Sequence, residues 1–283
     1  SDNGGSSGTL RRELDIPAVG DITRVMMAMS GSSQGVKDLF MYRFAKDSSL
    51  NGHSIKNLIM TALLEMHGSF TEAIPILNDL LDVKGNLLPV TEDNVDLVGI
   101  MTDGREIYGE AQITQARSHI RELHYDKPVH ANPDVLKAVA EADLIVFSSG
   151  SLLTSITPHI VIPEIQEAVR RSSARTLYVC NMITQPGETD DYAVSTHIDV
   201  LERYLGTGVV NAVIANNGEL PHDVRLYAKS EGKAPVVIDR EQIRRRGIRL
   251  IEDNIAVVED GYIRHDSLKT AYLMFAYLMN ETG

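Results

Sequence analysis

The chain has 283 residues, a formal net charge of −12, an apolar fraction of 43% and one cysteine. That length holds one large α/β domain or two small ones. The acidic balance argues against broad electrostatic binding to nucleic acid, and Cys180 alone builds neither a disulfide framework nor a thiolate metal site. No apolar run reaches the roughly 18–20 residues of a membrane span. No signal peptide is visible, so the expected setting is cytoplasmic.

Residues 1–8 are Gly/Ser-rich with no strand before them, and read as a disordered terminus or a cloning scar. A short helix over Leu10 to Leu14 ends before Pro17, and Asp21 to Ser30 reads as helix. Gly31 to Gly35 is a link, and Val36 to Phe44 is helical again. Gly52-His53-Ser54 introduces a helix to about Met66, and Phe70 to Leu81 is amphipathic. The texture then changes. Between Gly85 and Glu122, the segments Leu87 to Val90, Asp96 to Met101 and Arg105 to Ile113 are strand-like. Thr102-Asp103-Gly104 is a hairpin signal between the last two.

From Asn132 the alternation becomes regular. A helix to about Ala142 precedes strand 144–147, and the helix Pro163 to Arg171 precedes strand 176–180. A helix from about Asp191 to Tyr204, strand 211–215, strand 236–238, a basic helix around Arg240 and Arg244 to Arg246, and strand 248–251 follow. The basic run reads as a solvated helix face. A hairpin around Asp260-Gly261 and a helix from Asp266 to Met279 close the chain. Repeated βα units imply an α/β, Rossmann-like, doubly wound and mainly parallel sheet, with a small β insertion at about 85–122. One domain over residues 1–283 is the expected organisation.

Two strand-to-loop junctions carry the functional signal. Leu144 to Phe147 run into Ser148-Ser149-Gly150-Ser151-Leu152-Leu153-Thr154-Ser155, and Leu177 to Cys180 run into Asn181-Met182-Ile183-Thr184-Gln185-Pro186-Gly187-Glu188-Thr189. Ligands of open α/β sheets bind outside the carboxyl ends of the strands. Gly150 allows close backbone approach there, and Ser151, Thr154 and Ser155 offer hydroxyls to phosphate oxygens. The amides of Asn181 and Gln185 can read a base or sugar edge. Glu188 can accept from ribose or help hold a metal, while Thr189 or Asp190 can cap the next helix. His53, with Asn57 one turn later, can bond phosphate or simply cap its helix. The segment Gly4-Gly5-Ser6-Ser7-Gly8 comes nearest to a phosphate loop, with Asp2 beside it as an indirect Mg²⁺ ligand. Arg11 and Arg12 follow as an anion clamp, and Asp21 adds a second carboxylate. The histidines share no metal-ligand spacing, and no Walker A, G-x-G-x-x-G or G-x-S-x-G sequence occurs.

Taken together, Asp2 to Gly8 with Arg11-Arg12, Gly20-Asp21-Ile22, Gly52-His53-Ser54 with Asn57, Gly150-Ser151-Leu152 with Thr154-Ser155, and Cys180 to Thr189 resemble the YvcK proteins. These form the gluconeogenesis-factor branch of the CofD-like superfamily. The resemblance runs from the first residues to about Asn217. It implies a Rossmann-like fold that binds a UDP-sugar, typically UDP-N-acetylglucosamine, and acts in cell shape and envelope synthesis on gluconeogenic carbon sources. No cofactor is required on this reading, beyond Mg²⁺ accompanying the nucleotide. The diphosphate is expected across Gly150, Ser151, Thr154 and Ser155, uridine or ribose at Asn181 and Gln185, and the sugar side at Asp2, Asn3 and His53. The CofD branch implies the alternative, a phospholactate-type transferase with Asp2 and Asp21 holding Mg²⁺. Homo-oligomerisation stays open.

The chain departs from the family pattern twice. The family's leading strand and Gly-rich loop are absent from these residues, and Thr23-Arg24 stand where the family has Arg-Asn.

Overall fold

The computed structural model describes residues 5–259 and 262–280. Its first elements are all helical: α1 (Gly5–Leu14), α2 (Gly20–Met29), α3 (Gln34–Met41), α4 (Ile55–His67) and α5 (Phe70–Leu81). The local signals are clear in the last two. Helix α4 stops where Gly68 takes a left-handed conformation and donates its N–H to Leu64 O at 2.7 Å. Helix α5 starts at Ser69, whose hydroxyl accepts from the Glu72 amide at 3.3 Å, the first half of an S-x-x-E cap. Phe70, Ala73, Ile74, Leu77 and Leu81, at three- and four-residue spacing, are its buried face. They pack in one cluster with Leu10, Val19, Met26, Met60 and Leu64.

A three-stranded sheet follows, in the order β2-β1-β3, from β1 (Leu97–Met101), β2 (Glu106–Tyr108) and β3 (Ile120–Tyr125), with α6 (Glu110–Ala116) between the last two. The expected turn at Thr102-Asp103-Gly104 is there, closed by the Met101 amide on Arg105 O at 2.8 Å. Of the expected strands, one is absent and one is cut short to β2. Leu87 to Val90 is irregular, because Pro89 cannot donate to a ladder. The run from Arg105 breaks at Gly109 (φ +91°) and continues as α6.

The regular α/β portion comprises α7 (Pro133–Glu141), β4 (Leu144–Phe147), a π-helical turn Leu152–Ile156, α8 (Thr157–Ile160), α9 (Pro163–Arg171), β5 (Arg175–Val179), α10 (Val194–Leu205) and β6 (Ala212–Asn216). Then come α11 (His222–Ser230), α12 (Arg240–Arg245), β7 (Arg249–Asp253), β8 (Ala256–Glu259), β9 (Tyr262–His265) and α13 (Ser267–Asn280). Strands β4-β5-β6-β7 form one sheet, all parallel and in chain order. Its register pairs Phe147 with Tyr178, Val179 with Ile214, and Ile214 with Ile251. Leu177 to Val179 and Ala212 to Ala215 are buried without alternation, as expected when helices cover both faces of a parallel sheet. The expected α/β, mainly parallel architecture is therefore present.

Strand 236–238 is replaced by isolated bridges, Ile183–Pro235 and Ala193–Val237; Pro235 again lacks a donor. Helix α11 was not anticipated. The expected hairpin tip at Asp260-Gly261 lies outside the described residues, and β8 pairs antiparallel with β9 on either side of it. The basic run is neutralised by acids. Arg240 pairs with Glu252, Arg244 and Arg245 with Glu241, and Arg246 with Asp199.

The chain groups into two compact units, one holding residues up to Val98 with Ile107–Ile113 and Tyr125–Val135, the other Gly99–Glu106, Thr114–His124 and the chain from Leu136 onward. Among the described residues no helix is long and apolar enough to cross a membrane.

Candidate functional site

In the second unit, the two singled-out loops leave neighbouring strands β4 and β5 at their carboxyl ends and are bound to each other. Asn181 Nδ2 donates to Gly150 O at 2.8 Å, while its Oδ1 accepts from the buried Tyr178 hydroxyl at 3.1 Å. Glu188, 37 residues beyond Ser151, accepts from the Ser151 hydroxyl and, at 3.4 Å, from Thr154 Oγ1. Ser151 Oγ in turn accepts from the Thr154 amide at 3.1 Å and from Thr154 Oγ1 at 2.8 Å. Burial raises the Glu188 pKa above 4.5, opposed by the hydrogen bonds from Ser151 and Thr154. This is a buried carboxylate with specific partners at a strand end, the setting in which functional carboxyls recur.

The local backbone explains why these side chains meet. Gln185-Pro186-Gly187-Glu188 is a turn closed by the Glu188 amide on Gln185 O at 3.0 Å, with Gly187 at φ +83° in its third position. The Gln185 amide donates to Thr189 Oγ1 at 2.8 Å, and the Gly187 amide to Asp190 Oδ2 at 2.6 Å. A Cβ on Gly187 would lie 2.4 Å from the Arg117 backbone, so the position demands glycine twice over. At Gly150 a Cβ would come within 3.2 Å of Ser155 Cβ. Ser151 caps the π-helical turn, and both the Ser155 and Ile156 amides fold back onto its carbonyl.

Residues expected to face a ligand thus divide. Ser151, Thr154 and Glu188 hold one another, and Asn181 holds the Gly150 carbonyl and the Tyr178 hydroxyl. Ser155 is exposed, and Gln185 Oε1 is buried with no hydrogen-bond partner. An orphaned buried carbonyl is costly, by about 1–3 kcal/mol, and a bound water or ion commonly completes its bonding. Cys180, just before Asn181, is inert: burial pushes its thiol to about 12.

The first unit holds a second polar cluster, described by itself. His53 Nδ1 lies 3.0 Å from Ser6 Oγ, and Asn57 Nδ2 donates to the same oxygen at 3.4 Å. Asn57 Oδ1 accepts from Thr23 Oγ1 at 2.9 Å and from Lys56 Nζ at 3.1 Å, and Lys56 also donates to Thr23 Oγ1 at 2.9 Å. All five side chains are buried. Sequence reasoning reached His53 and Asn57, held Ser6 only within the Gly4 to Gly8 phosphate-loop candidate, and missed Thr23 and Lys56. The available signal was the polar pair Lys56-Asn57 opening the mainly apolar helix α4. At the departure noted there, Thr23 is buried and Arg24 is exposed.

Other expected contacts are engaged elsewhere. Ser7 Oγ accepts from the Val19 and Gly20 amides at 3.2 and 3.1 Å, satisfying the start of α2. Arg11 is spent on Asp96 Oδ1 (2.5 Å), Asn94 Oδ1 (2.8 Å) and Val95 O (3.1 Å), and Arg12 is exposed. Asp21 is exposed at the start of α2, while Asp2, Asn3 and Gly4 lie outside the described residues. Among the described residues no group of three or more His, Cys, Asp or Glu converges as a metal site.

The family model described as 2-phospho-L-lactate transferase CofD matches residues 1–256. A Bacillus subtilis protein named gluconeogenesis factor is 37% identical over 275 residues, covering 97% of this chain and 87% of the relative. One from Listeria innocua, of the same name, is 36% identical over 284 residues, covering 100% and 87%. A crystal structure of a Bacillus halodurans protein matches with a TM-score of 0.94 at 34% identity, covering 97% of this chain and 89% of that one.

Proposed function

We infer the function from family membership: this chain belongs to the 2-phospho-L-lactate transferase CofD family. Relatives named gluconeogenesis factor align over nearly its whole length, which supports the same general role. Within that role we propose that it is a regulator that binds a uridine-diphosphate sugar such as UDP-N-acetylglucosamine without consuming it. It thereby couples cell shape and envelope synthesis to gluconeogenic carbon supply.

The observation that carries the reading is the clasp between the β4 and β5 loops, made by two links: Glu188 to Ser151 and Thr154, and Asn181 to the Gly150 carbonyl. A fixed pair of loops at the carboxyl edge of a parallel sheet is what a nucleotide needs, since its affinity depends on donors that do not have to be ordered on binding. In this arrangement Glu188 positions the loops. Ser155 and the backbone around Gly150 would meet the diphosphate, and the part-exposed Gln185 side chain would turn its amide to uridine or ribose.

Isothermal titration of UDP-N-acetylglucosamine, with and without Mg²⁺, tests this, followed by chromatography of the recovered nucleotide. Saturable binding with intact ligand is expected. Cleaved nucleotide would replace the regulator with a transferase-type enzyme, and absence of binding would remove the proposal.

A further inference from the structure

Tyr178 is fully buried in β5, yet it carries a hydroxyl that a strand interior does not need for packing. Its strand neighbours Leu177 and Val179 belong to the cluster that includes Tyr277 of α13. Side chains alternate across a strand, so Tyr178 points to the other face, towards α10. There its ring stacks on His197, with centroids 6.3 Å apart and planes at 27°. Tyr192 meets the His197 ring edge-on at 5.6 Å, and His197 Nδ1 lies 2.9 Å from Ala193 O. The stack fixes the ring, and the hydroxyl reaches Asn181 Oδ1 at 3.1 Å.

Chemistry sets the direction of each bond. A backbone carbonyl only accepts, so the Asn181 atom 2.8 Å from Gly150 O must be the Nδ2 donor. That leaves Oδ1 for Tyr178, whose hydroxyl therefore donates. The Asn181 amide is pinned at both ends, with one end tied to the core of the sheet and the other to the β4 loop.

The effect reaches the backbone of that loop. The Gly150–Ser151 peptide is trans, so its C=O and N–H point to opposite sides. Because Asn181 draws the Gly150 carbonyl towards itself, the Ser151 N–H is turned to the other side of the loop. Among the described residues that N–H donates to no acceptor.

We propose that Tyr178 is a positioning residue. Its hydroxyl sets the Asn181 amide and, through it, the Gly150–Ser151 peptide, so that the Ser151 N–H faces the anionic part of the ligand, an assignment that rests on the nucleotide-sugar reading above. A tyrosine serving the core alone would need only some acceptor for its hydroxyl. This one spends it on a side chain that holds the neighbouring loop.

Titration of UDP-N-acetylglucosamine into wild type, Tyr178→Phe, Asn181→Ala and the double variant tests the assignment. Tyr178→Phe keeps the buried ring and removes only the hydroxyl. Affinity should fall roughly three- to ten-fold, the worth of one neutral hydrogen bond. Asn181→Ala should cost at least as much, and the double variant no more than Asn181→Ala alone, because Tyr178 acts through Asn181. Losses that add in the double variant, or an affinity indifferent to Tyr178→Phe, overturn the proposal.

Hydrogen exchange at the Asn181 side-chain amide, followed by NMR without ligand, gives a second readout. One N–H of that amide, bonded to Gly150 O, should be protected in the wild type and exchange several-fold faster in Tyr178→Phe. Two outcomes need no folded Tyr178→Phe. An unprotected Asn181 amide in the wild type, or an affinity untouched by Asn181→Ala, each overturns the proposal. A wild type that binds no UDP-N-acetylglucosamine removes the nucleotide reading, and the exchange measurement then decides by itself whether Tyr178 sets the loop.

Discussion

Glu188→Ala is the most direct test of the clasp. The substitution removes the acceptor of the Ser151 hydroxyl, a bond to an ionised carboxylate once the pH is above the Glu188 pKa; such bonds contribute about 1.5–3 kcal/mol. The Thr154 Oγ1 contact, at 3.4 Å, is too long to add much. One effect opposes the loss. Burial disfavours the ionised carboxylate, as its raised pKa records, so removing it relieves some desolvation. That relief acts on overall stability, whereas at the Thr154 amide the lost acceptor decides, because Ser151 Oγ accepts from that amide and its own proton is aimed at Glu188. The assay is hydrogen exchange at the Thr154 amide in mildly alkaline buffer, which reads opening of this loop rather than of the whole chain. Protection should fall roughly ten- to hundred-fold, the equivalent of about 1.4–2.8 kcal/mol.

Glu188→Gln separates charge from acceptor, because it keeps an oxygen for Ser151 and cannot titrate. With a folded-state pKa above 4.5, the folded protein holds this proton at a pH where the unfolded chain has released it. Stability from this group therefore falls as pH rises from 4.5 through the folded pKa, and the penalty is absent below 4.5. The stability difference between wild type and Glu188→Gln should shift against the wild type across that window. A pH-independent difference, or unchanged Thr154 protection in Glu188→Ala, refutes the reasoning.

Gly187→Ala should cost well over 2 kcal/mol in a thermal melt, since a positive φ alone costs about 1–2 kcal/mol and the new Cβ meets the Arg117 backbone at 2.4 Å. Gly104→Ala, at φ +89° with open space, should show only the conformational part, so equal losses would discount the contact. His197 is buried, its Nδ1 lies 2.9 Å from Ala193 O, and burial lowers its pKa below 6.5. The unfolded chain then binds the proton first, so stability should fall as pH drops below 6.5, and His197→Leu should flatten that slope in urea titrations. A slope that survives the substitution would place the titrating group elsewhere. Ser155→Glu, at an exposed position, should fold normally and weaken UDP-N-acetylglucosamine binding at least ten-fold by like-charge repulsion, about 1.4 kcal/mol. An unchanged dissociation constant in titration would move the diphosphate away from this loop.

The elements legible in the sequence were those whose signal is local. The helix Phe70–Leu81 has its cap at Ser69 and a continuous inward face. Strand Leu144–Phe147 and helix Pro163–Arg171 are bounded by small or proline residues, and each was read to the residue. The Pro186-Gly187 turn could likewise be read from its dipeptide, because φ near +80° in the third position calls for glycine. What failed were propensities decided by distant partners. Gly5 to Gly8 look like a flexible tail, yet Ser6 and Ser7 are buried against His53, Val19 and Gly20, and that packing outweighs four poor helix formers.

The same division runs through the candidate site. Sequence chemistry lists donors and acceptors but cannot say which of them are already taken, because that depends on register. Pairing Phe147 with Tyr178 brings the loops after β4 and β5 side by side, so that Ser151 reaches Glu188 across 37 positions of chain. Once that register is known, the residues that look most like ligand contacts become the ones that shape the site. Gln185, whose carbonyl is left without a partner, and Ser155, which is left exposed, become the ones with something to offer. The two groups should behave differently when substituted. Clasp residues should alter loop protection and affinity together, whereas Gln185→Ala and Ser155→Glu should alter affinity with the Thr154 amide as protected as before.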